Sequence, residues 1–472
     1  MADAINPRWA WEPYRPSEKS PWDLKKVGHL YRRAAFGATL AELEEGLRAG
    51  PDKAVTALLK GDASRPAFDA DGELAALVKK SNSGTLARSW WLRRMLESPQ
   101  PLREKMTLFW HNHFATSNAK VQNAGYMLGQ YELMYRHALG NFRPLLQEMS
   151  KDPAMMVWLD TKDSKKGNPN ENYARELMEL FSLGIGNYTE KDIREAARAF
   201  TGWEIKDDQP FFNARQHDDG DKTVLGKTGK FKGEDIVTIC LEQKACPYFL
   251  CRKLFRFLVS ETIEPTPELL EPLAEQLRAS DFDFGALVGT VLRSNLFFAP
   301  EAYRSRIKGP VDFALGIVRG LEGHLPDARG RGFGTNALGT VLEELGQNLF
   351  HPPSVKGWDG GQVWLNGQTL LTRQNLALVL CSTEDLRFGR RTDPAALARK
   401  HGKKGDAEQV DFFLTLFLQN DVPASSRDRL LEYQRHAREQ QVPAYWSADY
   451  AADRRVRSLC HLVLTLPEFQ LD

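Results

Sequence analysis

The sequence predicts a mainly α, large multi-helical fold of the orthogonal-bundle kind with short β-hairpin or irregular excursions. Three observations predict it. Apolar residues recur at three- and four-residue spacing over most of the chain. Ser, Thr, Asp, Asn and Pro mark where these stretches start, while Gly and Pro mark where they stop. The helical period gives way to long polar, turn-rich sequence in two places, 204–233 and 351–368.

At 472 residues the chain exceeds the ~250–300 at which single cores usually stop growing. The expected organisation is an N-terminal extension (1–23), a main helical domain (24–380) and a C-terminal helical segment (381–472) packing on it. With 63 basic against 62 acidic residues and 42% apolar residues, the composition excludes disorder and argues against a surface built for polyanions. Nucleic acid is therefore not an expected partner. No apolar run approaches the ~18–20 residues that span a bilayer, so no membrane span is expected. The opening "MADAINPRWAWEPYRPSEKSPW" lacks a leader pattern. Arg32 and Arg33 in "LYRRAAFG" precede an amphipathic stretch and read as helix surface. Five cysteines without a C-x-x-C pair read as buried thiols in a reducing compartment. The expected location is cytoplasmic.

Taken in order, "TLAELEEGLRAGPDKAVTALL" gives two helices split at Gly50-Pro51, and "LARSWWLRRMLESPQPLREKMTLFWHNHF" two more divided at Pro99. Another helical segment covers Tyr126 to Met149. "NPNENYARELMELFSLGIGNYTEKDIREAARAFTGW" predicts a helical hairpin. Asn168 would cap its first helix, with Pro169 at the first helical position and Glu171 completing a capping box. Gly184 and Gly186 would stop that helix, and Thr189 with Asp192 would cap the next. The glycine- and lysine-rich 204–233 suits a two-stranded hairpin or an ordered excursion. Helices resume at Glu234 and continue to the loop "HPPSVKGWDGGQVWLNGQ"; beyond it they return, with a charged connector from Arg390 to Gln409 that could be mobile. "LVGTVLRSNLFFAP" and "LCHLVLTLPEFQLD" look alike as helix endings and would close two similar helical layers.

Candidate chemistry starts at "LFWHNHFATSN". Residues two apart on a helix point roughly 200° from each other, so His111 and His113 could grip one metal only if the helix ended near Trp110 and the pair ran extended. The bland alternative is one core histidine and one surface histidine; a shared polar pocket that includes Asn112 lies between. On the hairpin, Asn172, Glu176 and Glu179 share a face, and Arg175 can pair with Glu171. Glu176 could serve as metal ligand or general acid and Arg175 as an anion clamp, against the alternative of a solvated face. His217 and Asp218 in "QHDDGDK" are hard-ligand types, with Lys222 beside them. The "GDKTVLGKT" that follows has one residue too many between its glycines for a phosphate loop, and no helix after it. Trp358, Asp359, Trp364 and Asn366 offer aromatic faces beside polar edges, as a sugar ring or planar ligand requires, unless the tryptophans plug the core. Arg373 could point back at that loop.

Six ordered blocks carry a resemblance: "LYRRAAFGAT", "FWHNHFATS", "NENYARELMELFSLGIGNYTEKDIREAARAFTGW", "HDDGDKTVLGKTGKFKGEDI", "CRKLFRFLVS" and "PPSVKGWDGGQVWLNGQTLLTRQNL". From Leu24 to Phe469 the chain resembles the bacterial domain of unknown function 1800 (DUF1800) family. The resemblance implies a helical single-chain fold and a bacterial source, and it transfers no catalytic residue. Members often look exported, which this N-terminus does not, and are frequently encoded beside proteins of the alkaline-phosphatase/sulfatase type. Two functions follow as expectations. One is metal-assisted hydrolysis or acid/base chemistry on a sugar-like or anionic substrate, with a divalent metal as the cofactor that His111, His113 and Glu176 could hold. The other is a non-enzymatic helical adaptor docking a phosphatase/sulfatase-like partner.

Overall fold

The computed structural model describes residues 5–62, 72–323, 333–382 and 392–472. It is mainly α, with twenty-four α-helices among the described residues. The strands form two small antiparallel hairpins, β1 (Trp203–Lys206) with β2 (Gln209–Phe212) and β3 (Lys222–Val224) with β4 (Lys227–Gly229). The polar excursion thus holds two hairpins where the sequence suggested one.

The expected boundaries hold where turn chemistry is local. Gly50, at φ 82°, separates helices Leu40–Ala49 and Pro51–Lys60. Pro101 opens the helix after the Pro99 break, and Thr189 with Asp192 forms the capping box of Glu190–Ala199. The hairpin's first helix departs from expectation. It begins at Asn172 rather than after Asn168, because Asn168 closes a turn with Lys165, while Ser164 Oγ and Asn170 Oδ1 accept the next free amides, those of Asn170 and Asn172. Its second half, Leu177–Ser182, winds as a π-helix. Of the charged connector, Arg390 and Arg391 lie outside the described residues; the rest contains helix Pro394–Lys400.

Two hydrophobic cores lie side by side. The first draws on residues from Ala10 to Ala302 and includes the N-terminal segment, where Trp11 donates its indole N–H to the Leu269 carbonyl at 2.7 Å. The second joins Phe36, residues between Ala75 and Ala154, and Val311 to Phe469. The two similar helix endings fall one in each core.

Helix Pro101–His113, hereafter the histidine helix, is the wall between them. Leu102, Met106, Phe109 and Trp110 enter the first core and Leu108 the second. It is buried nearly all round, so its charges need partners. Arg94 and the Tyr131 hydroxyl reach Glu104 at 3.0 and 2.8 Å, and Lys105 pairs with Asp312. Burial nonetheless pushes the Glu104 carboxyl up to about 7.

Arg32 and Arg33 are not helix surface. Their helix, Leu24–Ala34, runs into the junction of the cores and buries both. Arg33 donates to the Ala302 carbonyl at 2.8 Å, and Arg32 to the Gln419 amide oxygen. All five cysteines are buried and unpaired.

Trp110 packs against Phe114, Phe142 and Phe284 and donates to the Ala138 carbonyl at 3.2 Å. Truncation there leaves a cavity and an unmet carbonyl. Trp110→Ala is expected to lower unfolding free energy by about 3–5 kcal/mol in urea titration.

Candidate functional site

The last turn of the histidine helix presents three consecutive polar side chains in three directions, and each ties down a different segment. The helix does not end at Trp110 but continues through His113, with Phe114 as its C-cap. The two imidazoles therefore diverge, as helical geometry demands.

His111 faces the second core. The Phe350 amide donates to its Nε2 at 3.2 Å, and its ring packs on Trp91, Phe350 and Trp358 at centroid distances of 5.0, 5.6 and 5.5 Å. Accepting at Nε2 requires the neutral ring protonated at Nδ1. Desolvation holds its pKa at about 3.

Asn112 clamps the tryptophan loop by a reciprocal pair. The Trp358 amide donates to Oδ1 at 2.6 Å, and Nδ2 donates to the Trp358 carbonyl at 3.2 Å. The preceding residue must be glycine. Gly357 sits at φ +80°, and a Cβ there would come within 2.1 Å of Asn112 Oδ1.

His113 faces the first core. Its Nε2–H donates to the Phe181 carbonyl at 3.1 Å, which leaves Nδ1 to accept from Lys253 Nζ, also at 3.1 Å. Lys253, on helix Ala245–Leu258 (the lysine helix), also donates to the Leu180 carbonyl at 3.1 Å. Both carbonyls come from the end of the π-helix, where backbone acceptors lack helical partners and attract donors. The hairpin does meet the histidine block, but through its backbone and not through its carboxylates.

Between these elements lies a cavity of about 420 Å³. The histidine helix contributes Phe109, Asn112 and His113; the lysine helix Phe249, Lys253, Arg256 and Phe257; and the tryptophan loop Lys356, Trp358, Asp359 and Trp364. Glu261, Arg306 and Asp312 complete its polar lining with Gln347. Arg306 pairs with Glu261 at 3.3 Å and Asp312 with Lys105. Two other depressions, of 760 Å³ each, are more open.

Of the residues singled out in the sequence, Asn112, His113, Trp358, Asp359 and Trp364 meet here, and His111 supports Trp358 from behind. Both tryptophans are mostly buried yet line the cavity, so core packing and site lining coincide. Asn366 caps helix Gly367–Cys381. Arg373 lies inside that helix and turns into the core, donating to the Lys308 carbonyl at 2.7 Å, so it does not point back at the loop.

The remaining candidates line other surfaces. Arg175 pairs with Glu190 and Glu171, and Asn172 donates to Asp160 at 3.3 Å. Glu176, its pKa raised by burial and then by Glu179, is absent from the cavity wall. His217 is buried against Phe212 and bonds the Thr201 carbonyl through Nδ1 at 3.0 Å. Asp218 is held by Arg198, whose hydrogen bonds lower its pKa to about 2, and Lys222 donates to the Asp218 and Gly220 carbonyls. Those last residues lock the β-hairpin excursion internally. Among the described residues no three His, Cys, Asp or Glu side chains gather as a metal-binding group. The set His111, His113 and Glu176 is not assembled, because the helix turns the imidazoles apart and backbone or lysine partners occupy three of their four ring nitrogens.

The residues that sequence reasoning missed are Lys253, Arg256, Glu261, Arg306 and Lys356. A signal was present for the first two: "CRKLFRFL" sets Arg252, Lys253 and Arg256 into an otherwise apolar stretch, with Lys253 and Arg256 three apart and so on one face. The others depend on tertiary approach alone.

The chain matches the model of the family described as "Protein of unknown function (DUF1800)" over residues 29–471, and so belongs to that family. No curated protein and no solved structure matches it. Among the described residues no helix is long and apolar enough to cross a membrane.

Asn112→Ala removes both arms of the loop clamp and leaves a buried amide unmet. A loss of about 1–3 kcal/mol is expected in urea unfolding, together with faster proteolytic nicking between 351 and 366. For His111, the folded-state pKa of about 3 lies below the unfolded value of ~6.5. Between the two, the unfolded chain binds the extra proton, so the contribution is present above pH 6.5 and lost as pH falls towards 3. Wild-type stability relative to His111→Gln, which keeps an acceptor but does not titrate, is expected to decline between pH 6.5 and 4. Equal pH slopes would contradict a neutral buried ring.

Proposed function

We propose that the cavity between the histidine helix, the lysine helix and the tryptophan loop is a ligand-processing site, and that it carries out acid/base chemistry on a small, polar, anionic substrate. One observation carries this reading. After the Arg306–Glu261 and Lys105–Asp312 pairs are set aside, the cavity wall keeps Arg256 and Lys356 against the single carboxylate of Asp359, with the Lys253 amine beside them. Those cationic groups stand among Phe109, Phe249, Phe257, Trp358 and Trp364. Aromatic walls lower the local dielectric and strengthen each cation's hold on an anion. Trp358 and Trp364 would stack on a ring or planar part, and Arg256 and Lys356, for which no ion pair is made among the described residues, would receive the negative charge. The His113–Lys253 pair supplies the proton-handling centre. Metal-assisted hydrolysis, the other form of this expectation, finds no ligand cluster to support it among the described residues.

A second reading is the adaptor, docking a phosphatase/sulfatase-like partner. It is favoured by Val363, Leu371 and Leu378, large apolar side chains 64%, 59% and 48% exposed on and before helix Gly367–Cys381. Leu371 and Leu378 share a helical face. The two readings divide over small-molecule binding.

Calorimetric titration with inorganic phosphate, sugar phosphates and small dicarboxylates, alongside neutral sugars, tests the first. Binding of at least one anion is expected, weakened about tenfold or more by Arg256→Ala together with Lys356→Ala, which is about 1.4 kcal/mol or more. A panel in which nothing binds, or binding indifferent to that double substitution, would favour the adaptor.

A further inference from the structure

Lys253 is placed unlike any ordinary surface lysine. Two acceptors, His113 Nδ1 and the Leu180 carbonyl, each lie 3.1 Å from its nitrogen. The Phe249 ring lies beneath the nitrogen at 5.0 Å, and no carboxylate is within ion-pairing distance among the described residues. His113 cannot turn its other nitrogen to the lysine, because Nε2–H is committed to the Phe181 carbonyl. A neutral amine has two hydrogens and one lone pair. With both hydrogens accepted, the lone pair is left for the cavity that Lys253 lines.

We propose that Lys253 is an amine nucleophile, and that the substrate is an anionic carbonyl compound, an aldehyde or 2-oxo acid class, which it captures as a protonated imine. This rests on the cavity being the ligand site, and it names the class of molecule that site takes. The lone pair attacks the carbonyl carbon as the C=O π pair moves onto oxygen. The nitrogen passes a proton to that oxygen, giving a carbinolamine. A proton from solvent then releases the oxygen as water, and the remaining N–H stays on the positively charged C=N nitrogen, where either original acceptor can hold it. Arg256 and Lys356 would receive the carboxylate or phosphate.

Desolvation supports the same arrangement. It brings the lysine down to about 7, with no charged neighbour contributing to the shift. The groups facing it are His113, held neutral chiefly by burial, Arg256 on its own helix, Arg306 with Glu261, and Asp359 and Lys356 across the cavity. The adjoining π-helix offers carbonyls, while its Glu179 accepts from Tyr188 at 2.8 Å. A buried lysine held near neutrality is the usual source of an amine nucleophile at physiological pH.

The test uses the full chain, glyoxylate as the carbonyl probe and cyanoborohydride as the hydride donor, with peptide mass spectrometry to place the reduced adduct. At pH 7.5, Lys253 is expected to be modified at least about tenfold faster than the exposed Lys191 and Lys244, because far more of it is unprotonated. Its rate should level off above pH 8. His113→Leu, folded by circular dichroism, keeps the desolvation but removes the acceptor that turns the lone pair towards the cavity, and should lose part of that advantage. A Lys253 that reacts no faster than the two exposed lysines, or a rate that His113→Leu leaves unchanged, would overturn the proposal. Anion binding that persists while Lys253 stays unmodified would sink the amine and spare the site. Selective modification without any anion binding would do the reverse.

Discussion

A helix buried nearly all round needs partners elsewhere in the chain for its polar groups, and the structure depends on that constraint at Pro101–His113, where His111 Nδ1 is the one buried polar side-chain atom left without a hydrogen-bond partner among the described residues. Its Glu104 is met by Arg94 and Tyr131, its Lys105 by Asp312, its Trp110 by the Ala138 carbonyl, and its HNH triplet by Phe350, Trp358, Phe181 and Lys253. The partners come from both cores, so satisfying one helix fixes the register of the two against each other. An unmet group there costs about 1–3 kcal/mol, while each met one adds only ~1 kcal/mol. The penalty for error, more than the gain from each bond, selects this packing.

The cavity is a product of the same demand. Asn112 holds the tryptophan loop close, and Gly357 permits the approach because a Cβ would collide with that amide. His113 holds the π-helix terminus and fixes Lys253. The walls are therefore set by side chains whose other ends are already committed to the core, so that the site is held by rigid elements. The β3–β4 excursion, by contrast, consumes its own charge: Arg198, Asp218 and Lys222 satisfy one another or nearby carbonyls. Polar residue types alone could not distinguish these two outcomes.

Electrostatically, the junction of the cores is cation-rich. Arg33, Lys105, Lys308 and Arg373 are all buried there with Asp312 and Asp472. Several of the cations rest on carbonyls and aromatic rings, as when Arg373 meets the Lys308 carbonyl and the Phe313 face. Asp312 both lines the cavity and pairs with Lys105, so the positive interior lies against the wall that carries Arg256 and Lys356.

What the sequence determined by itself is whatever depends on neighbours a few residues apart. The helical period, the Gly50-Pro51 break, the Thr189–Asp192 cap and the turn-rich nature of 204–233 and 351–368 are local chemistry, and the structure carries them. The membership of Asn112, His113, Trp358, Asp359 and Trp364 in one cavity was also legible, as unusual polar and aromatic clusters beside helix ends. Tertiary structure decided the rest. It buried Arg32 and Arg33, because a helix's exposed face is defined only once something packs on it. It carried the histidine helix past Trp110, because Trp110, Phe114 and Phe142 stack there, and so separated the two imidazoles. It brought Lys253, Arg256 and Arg306 into the wall and left Glu176, His217 and Asp218 outside it, since residues 140 or more positions apart meet through packing that no local pattern encodes.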